Sequence, residues 1–172
     1  NEDMDTAVGT ITTGLPGVGT AAVVLTWINN QTLNVTYTAL DDLTMYYVNL
    51  TGFTDVAGNA LTGDMSFNFT TGDFTGPTVT STTPADGATA IPLDAGTYTI
   101  VFSEAMAAGT PVSDLPGVTW AWNGTTLTGT YTALTAGTTY EVDVSAFTDV
   151  AGNAITGTVV RDFTTTAVVV DP

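Results

Sequence analysis

The side chains best able to do chemistry in this sequence are carboxylates held in two identical loops. Phe53-Thr54-Asp55-Val56-Ala57-Gly58-Asn59-Ala60 returns 94 residues later as Phe147-Thr148-Asp149-Val150-Ala151-Gly152-Asn153-Ala154. Each loop sets an aspartate and an asparagine four apart, Asp55 with Asn59 and Asp149 with Asn153, and Asp73 lies in the stretch between the copies. Oxygen donors of this kind suit calcium, which gathers about six to eight of them from carboxylates, amides and backbone. The pattern therefore raises a calcium site at Asp55, Asn59, Asp73, Asp149 and Asn153, with the ion stiffening the joint between copies. Ordinary turn chemistry, a glycine at positive φ flanked by Asp and Asn, is the competing and preferred reading.

Little other chemistry is on offer. The chain has no His, Cys or Lys, and Arg161 is its one basic residue against 17 acidic ones. Without His or Cys the commonest general base, the commonest zinc ligand and the thiolate nucleophile are gone. A carboxylate pair could hydrolyse a glycoside, but the three Glu stand far apart at 2, 104 and 141, and most Asp fall in turns. The sequence therefore reads as a non-enzyme with no catalytic residue. A formal net charge of −16 excludes phosphate neutralisation and repels an anionic membrane surface. No apolar run approaches the roughly 18 residues of a membrane span, and no signal peptide is visible, so the sequence reads as a mature fragment or an excerpt. Arg161-Asp162 is the only tryptic site. Asn30, Asn34, Asn49, Asn68 and Asn123 each begin an Asn-X-Thr acceptor for glycosylation. A glycan-binding face would need exposed aromatics. Alternation turns Trp120, Trp122, Tyr131 and Tyr140 inward, and Trp27 alone falls out of phase, beside Ala121.

The elements that must hold these residues are strands. Threonine supplies 39 of 172 residues, and Thr and Val favour β-structure. No helical periodicity emerges; Ser103 to Ala108 makes one turn at most. The repeat extends beyond the loops. At the same offset Tyr37-Thr38-Ala39-Leu40 matches Tyr131-Thr132-Ala133-Leu134, and Phe69-Thr70-Thr71 matches Phe163-Thr164-Thr165. Upstream the offset drifts: Leu15-Pro16-Gly17-Val18 matches Leu115-Pro116-Gly117-Val118, and Glu2-Asp3-Met4 matches Glu104-Ala105-Met106. Met65, Phe67 and Phe69 face inward on the last strand of copy one, as do Val159, Arg161 and Phe163 in copy two. Arg161 thus stands where an apolar residue belongs. A guanidinium reaching solvent from a strand end is the preferred reading, with a nearby Asp partner as the alternative. Asn123-Gly124 marks a two-residue hairpin.

About seven short strands per copy, separated by regular turn signals, predict an all-β fold of tandem Ig-like β-sandwiches. The expected bounds are 1–72 for a copy incomplete at its N-terminus, 73–77 for a linker, 78–166 for a complete copy, and 167–172 for a tail or donor strand. Copy one lacks counterparts of Thr78-Val79-Thr80-Ser81 and of Thr97 to Phe102. It should expose apolar faces and unpaired edges. Three resolutions stand open: upstream strands lie outside this sequence, a neighbouring chain supplies them, or copy one forms a reduced sheet.

The order Pro84-Ala85-Asp86-Gly87-Ala88-Thr89, Ile100-Val101-Phe102-Ser103-Glu104-Ala105-Met106, Ala136-Gly137-Thr138-Thr139-Tyr140, Thr148 to Ala154 and Asp162-Phe163-Thr164-Thr165 resembles the bacterial Ig-like domain of S-layer and other prokaryotic surface proteins. The resemblance spans copy two, and copy one from Glu2-Asp3-Met4 onward. It implies a non-catalytic extracellular module used for spacing, assembly or adhesion. Its partners would be adjacent Ig-like repeats or neighbouring copies of itself. The alternatives are a filament subunit completed by strand donation and a glycan-binding adhesin module.

Overall fold

A computed structural model describes residues 2–17 and 23–168. Val18, Asn1 and residues 169–172 of the expected tail lie outside the described residues. The chain divides into two compact units, Asn1–Asp73 and Phe74–Pro172. Every regular element described is a strand.

The second unit carries β6 (Val79–Thr83), β7 (Ala88–Ile91), β8 (Gly96–Phe102), β9 (Val112–Ser113), β10 (Thr119–Asn123), β11 (Thr126–Tyr131), β12 (Thr139–Asp143) and β13 (Val160–Thr165). One sheet runs β10-β11-β8-β6 and the other β7-β13-β12-β9, the layered arrangement of a β-sandwich. Thirteen buried apolar side chains form its core. Phe163 is at the centre, fully buried, with Tyr98 stacked at 5.7 Å and Tyr140 and Tyr131 at 5.8 and 6.4 Å. Full burial of one such ring contributes roughly 1.5–3 kcal/mol. Tyr140 also uses its polar end, its hydroxyl accepting a hydrogen bond from Thr135 N at 2.9 Å. This ties the start of β12 to the preceding loop.

The first unit carries β1 (Thr10–Thr13), β2 (Val24–Asn29), β3 (Thr32–Thr36), β4 (Met45–Thr51) and β5 (Ser66–Thr70). They form a β1-β4-β5 sheet and a β2-β3 pair. The tyrosine tie recurs, with Asp41 N donating to the Tyr46 hydroxyl at 2.8 Å. The core does not recur: among the described residues only Leu15, Tyr46 and Phe53 are buried apolar side chains here.

Several expectations need correction. The second unit has eight strands, close to the expected seven, and alternation marks neither β7 nor the two-residue β9. Met65, Phe67 and Phe69 are not covered; they are 39, 49 and 42% exposed. Of their counterparts Phe163 is fully buried beneath Tyr98 of β8, and among the described residues the first unit shows no such strand. The β10-β11 loop is Gly124-Thr125, one residue later than expected, with Gly124 at φ 59°. Trp27 is not out of phase. The β2-β3 register shifts between Trp27 and Asn29, so Trp27 stands opposite Leu33 as Trp122 stands opposite Leu127. Ile28 is the extra residue, and such a bulge returns alternation to step.

Candidate functional site

The two repeated loops fold alike, each around its aspartate. Asp55 Oδ1 accepts hydrogen bonds from Ala57 N and Asn59 N at 2.9 and 2.8 Å, and Oδ2 accepts from Asn59 Nδ2 at 2.7 Å. Asp149 repeats this with Asn153 N at 2.8 Å and Asn153 Nδ2 at 2.7 Å. The backbone closes each loop, Asp55 N to Asn59 O at 2.9 Å and Asp149 N to Asn153 O at 3.1 Å. Gly58 and Gly152 take φ of 88° and 95°, which a Cβ would strain. The loops are also pinned from upstream. Val56 N donates to Asp3 O and Val150 N to Ala105 O, and Met4 and Met106 bridge to Asp55 and Asp149. The Glu2-Asp3-Met4 and Glu104-Ala105-Met106 segments thus hold equivalent places.

Both aspartates are buried residues, yet both are held below the usual carboxylate range. For Asp55 the Asn59 side-chain amide is the largest cause, followed by Asn59 N–H. For Asp149 burial pushes upward most strongly, and the Asn153 amide with the N–H groups of Asn153, Gly152 and Ala151 outweighs it. Donors aimed at a carboxylate favour its charged form. Glu104 brings a carboxylate oxygen within 4.8 Å of one on Asp149. Asp73 closes the first unit.

Arg161 does not end in solvent. Its Nη1 meets Asp86 Oδ2 at 2.9 Å, and Asp86 Oδ1 accepts from Asp162 N at 3.1 Å. The Asp162 N–H and then Arg161 lower the Asp86 pKa. Asp86 was not singled out in sequence because its partners sit 75 and 76 residues away. Only folding of the Pro84–Gly87 turn onto β13 brings them together.

Of the glycosylation acceptors, Asn30, Asn34, Asn68 and Asn123 are exposed. Asn49 is half-buried and accepts from Ser66 Oγ at 2.6 Å. Tyr131 and Tyr140 are buried and Trp120 and Trp122 half-buried, all four packed in the core of the second unit. In the first unit Trp27 packs edge-on against Phe53 at 6.2 Å. Beside them a groove of about 420 Å³ is lined by the apolar Met4, Trp27, Leu33, Leu50, Phe53 and Leu61 and by the polar Glu2, Gln31 and Thr32. Sequence reasoning missed the groove, although the absence of a β8 counterpart was the signal for it.

These are the features of a scaffold whose polar groups mostly serve its own turns. A family model described as a bacterial Ig-like domain matches residues 73–165. No curated protein matches the chain.

Proposed function

Because the chain belongs to the bacterial Ig-like domain family, a family of surface-type structural modules, we propose that it is a non-catalytic extracellular module that spaces or assembles a prokaryotic cell-surface or S-layer-like protein. The observation that carries this reading is the use made of the carboxylates. The aspartates with the most organised surroundings, Asp55, Asp86 and Asp149, each close a turn or fasten a strand. In this reading Asp55, Asn59, Asp149 and Asn153 serve loop closure, with calcium unnecessary to it. The exposed Asn30, Asn34, Asn68 and Asn123 are the acceptors for glycans on the outer surface.

Antibody raised against the chain and applied to intact cells tests the location. Labelling before permeabilisation is expected; labelling only afterwards would overturn the reading. Mass spectrometry of native material checks the glycans, expected at the four exposed acceptors ahead of Asn49.

A further inference from the structure

The two sheets of the second unit end on four edge strands, β6, β10, β7 and β9. An exposed edge is a template for another strand, and folded proteins blunt it with a bulge, a charge or extreme shortness. Three of these edges are blunted. The β6 register shifts between Val79 and Ser81. The β7 register shifts as well, and Ala90 within it takes φ of 58°. β9 has two residues. β10 is the exception. It pairs with β11 over five residues without a shift, and Thr119-Trp120-Ala121-Trp122-Asn123 contains no charge and no proline.

The hairpin decides which groups β10 leaves unpaired. Phe102 N donates to Thr125 O, so Thr125, Leu127 and Gly129 turn their main-chain groups to β8, and Thr126, Thr128 and Thr130 turn theirs to β10. Asn123, Ala121 and Thr119 stand opposite these three. Trp120 and Trp122 therefore aim N–H and C=O away from the sheet. Their rings pack half-buried against the core, and Trp122 Nε1 donates to Gly109 O at 3.0 Å. Ala121 lies between them, exposed on the outer face. This edge is complementary to itself. When two β10 strands run antiparallel about a two-fold axis at Ala121, Trp120 of each copy meets Trp122 of the other as a hydrogen-bonded pair, giving about four main-chain bonds. Ala121 then faces Ala121, and Thr119 faces Asn123, as the closer non-bonded pairs. The smallest side chain of β10 stands where two copies of one residue must meet. The tryptophans of the two copies become cross-strand neighbours on the inner face. Charge also permits the approach. β6, β8, β10 and β11 hold no charged residue, whereas Glu141, Asp143, Arg161 and Asp162 lie on the other sheet. For a chain of net charge −16, an uncharged edge lets a second copy come near with least repulsion.

We propose that β10 is a self-association edge, at which a second copy of this chain adds its own β10 antiparallel and joins two four-stranded sheets into one. A five-residue edge covers less than the roughly 800 Å² per partner of a standard interface. The contact is therefore weak between free copies and persists where copies are crowded, as in a surface array. Asn123 points to the outer face with Ala121, so a glycan on it stands off the sheet instead of in the line of pairing. The inference names the contact by which the module proposed above assembles, and rests on that reading.

Ala121→Cys tests the axis, because the chain has no other cysteine. With oxidised glutathione as oxidant, it should form a disulfide-linked dimer at least about tenfold faster than Thr97→Cys, an exposed position on β8 of the same outer face. In the wild-type chain, amide hydrogen exchange at Trp120 and Trp122 should slow as concentration rises into the millimolar range. Ala121→Asp should remove that slowing, since it sets two carboxylates face to face, and Thr97→Asp should keep it. Both positions are exposed, so the variants should keep their fold. Equal crosslinking at the two positions, no concentration dependence at Trp120 and Trp122, or undiminished slowing in Ala121→Asp would overturn the proposal. Surface labelling of cells is unaffected by any of these results, so the two readings fail separately.

Discussion

A carboxylate buried among amide donors is a stabilising device with a pH signature. Asp55 and Asp149 have lower pKa values folded than unfolded. Their contribution is complete above the unfolded carboxylate value of about 4. It is lost as pH falls through the lowered folded value, because the unfolded chain then binds protons more readily. Melting temperature should therefore be insensitive to these groups at neutral pH and fall below about pH 4. Replacing Asp149 by Ala strands the donors of Asn153 and should lower the melting temperature of the second unit by several degrees at pH 7, with a smaller loss at pH 3. Calcium or EDTA should leave the wild-type melting temperature unchanged; a rise with calcium would instead place an ion at Asp149, where the Glu104 carboxylate is the nearby second ligand. Arg161→Ala should cost less than about 1 kcal/mol by chemical denaturation, since Asp86 is 43% exposed on its side chain and half-exposed pairs contribute little. Asp86→Ala should cost more, because it also strands Asp162 N. The aspartate loops were legible in sequence from their identical spelling. The ion pair was not, because alternation marks Arg161 as misplaced without saying which distant turn answers it.

Elements show the same division. Alternation makes β12 readable, with Tyr140 and Val142 on its buried face, and the repeat places Tyr46 and Val48 at the same positions of β4. A bulge defeats such reasoning, because one added residue such as Ile28 reverses the apparent face of everything before it. Burial was also illegible where it depends on a partner: Phe69 and Phe163 share one motif, yet only Phe163 has a β8 beside it. Phe163→Ala should cost about 3–5 kcal/mol, as for large cavities in a close-packed core. Phe69→Ala should stay under about 1 kcal/mol, as surface changes do. Urea titrations of the two variants test the contrast; equal losses would mean that the first unit has a core the described residues do not reveal.

At the scale of the molecule the two units should differ in how readily they open. The second has thirteen buried apolar side chains in one cluster, and local stability follows such burial. Amide exchange should be slower across β8, β11 and β12 than across β2 and β3. The family was legible because its short motifs fall in loops and at strand ends that recur in order, while the first unit's open edge was legible only as something missing. One connection has a mechanical meaning. In the second unit β7 and β13 run parallel, Phe163 beside Ala88 and Thr165 beside Ile91, and Thr78 bridges Thr156 in the same sense. Tension applied at Thr78 and Thr165 would pull these neighbours lengthwise past each other, so the linking bonds share the load and must rupture together instead of unzipping singly.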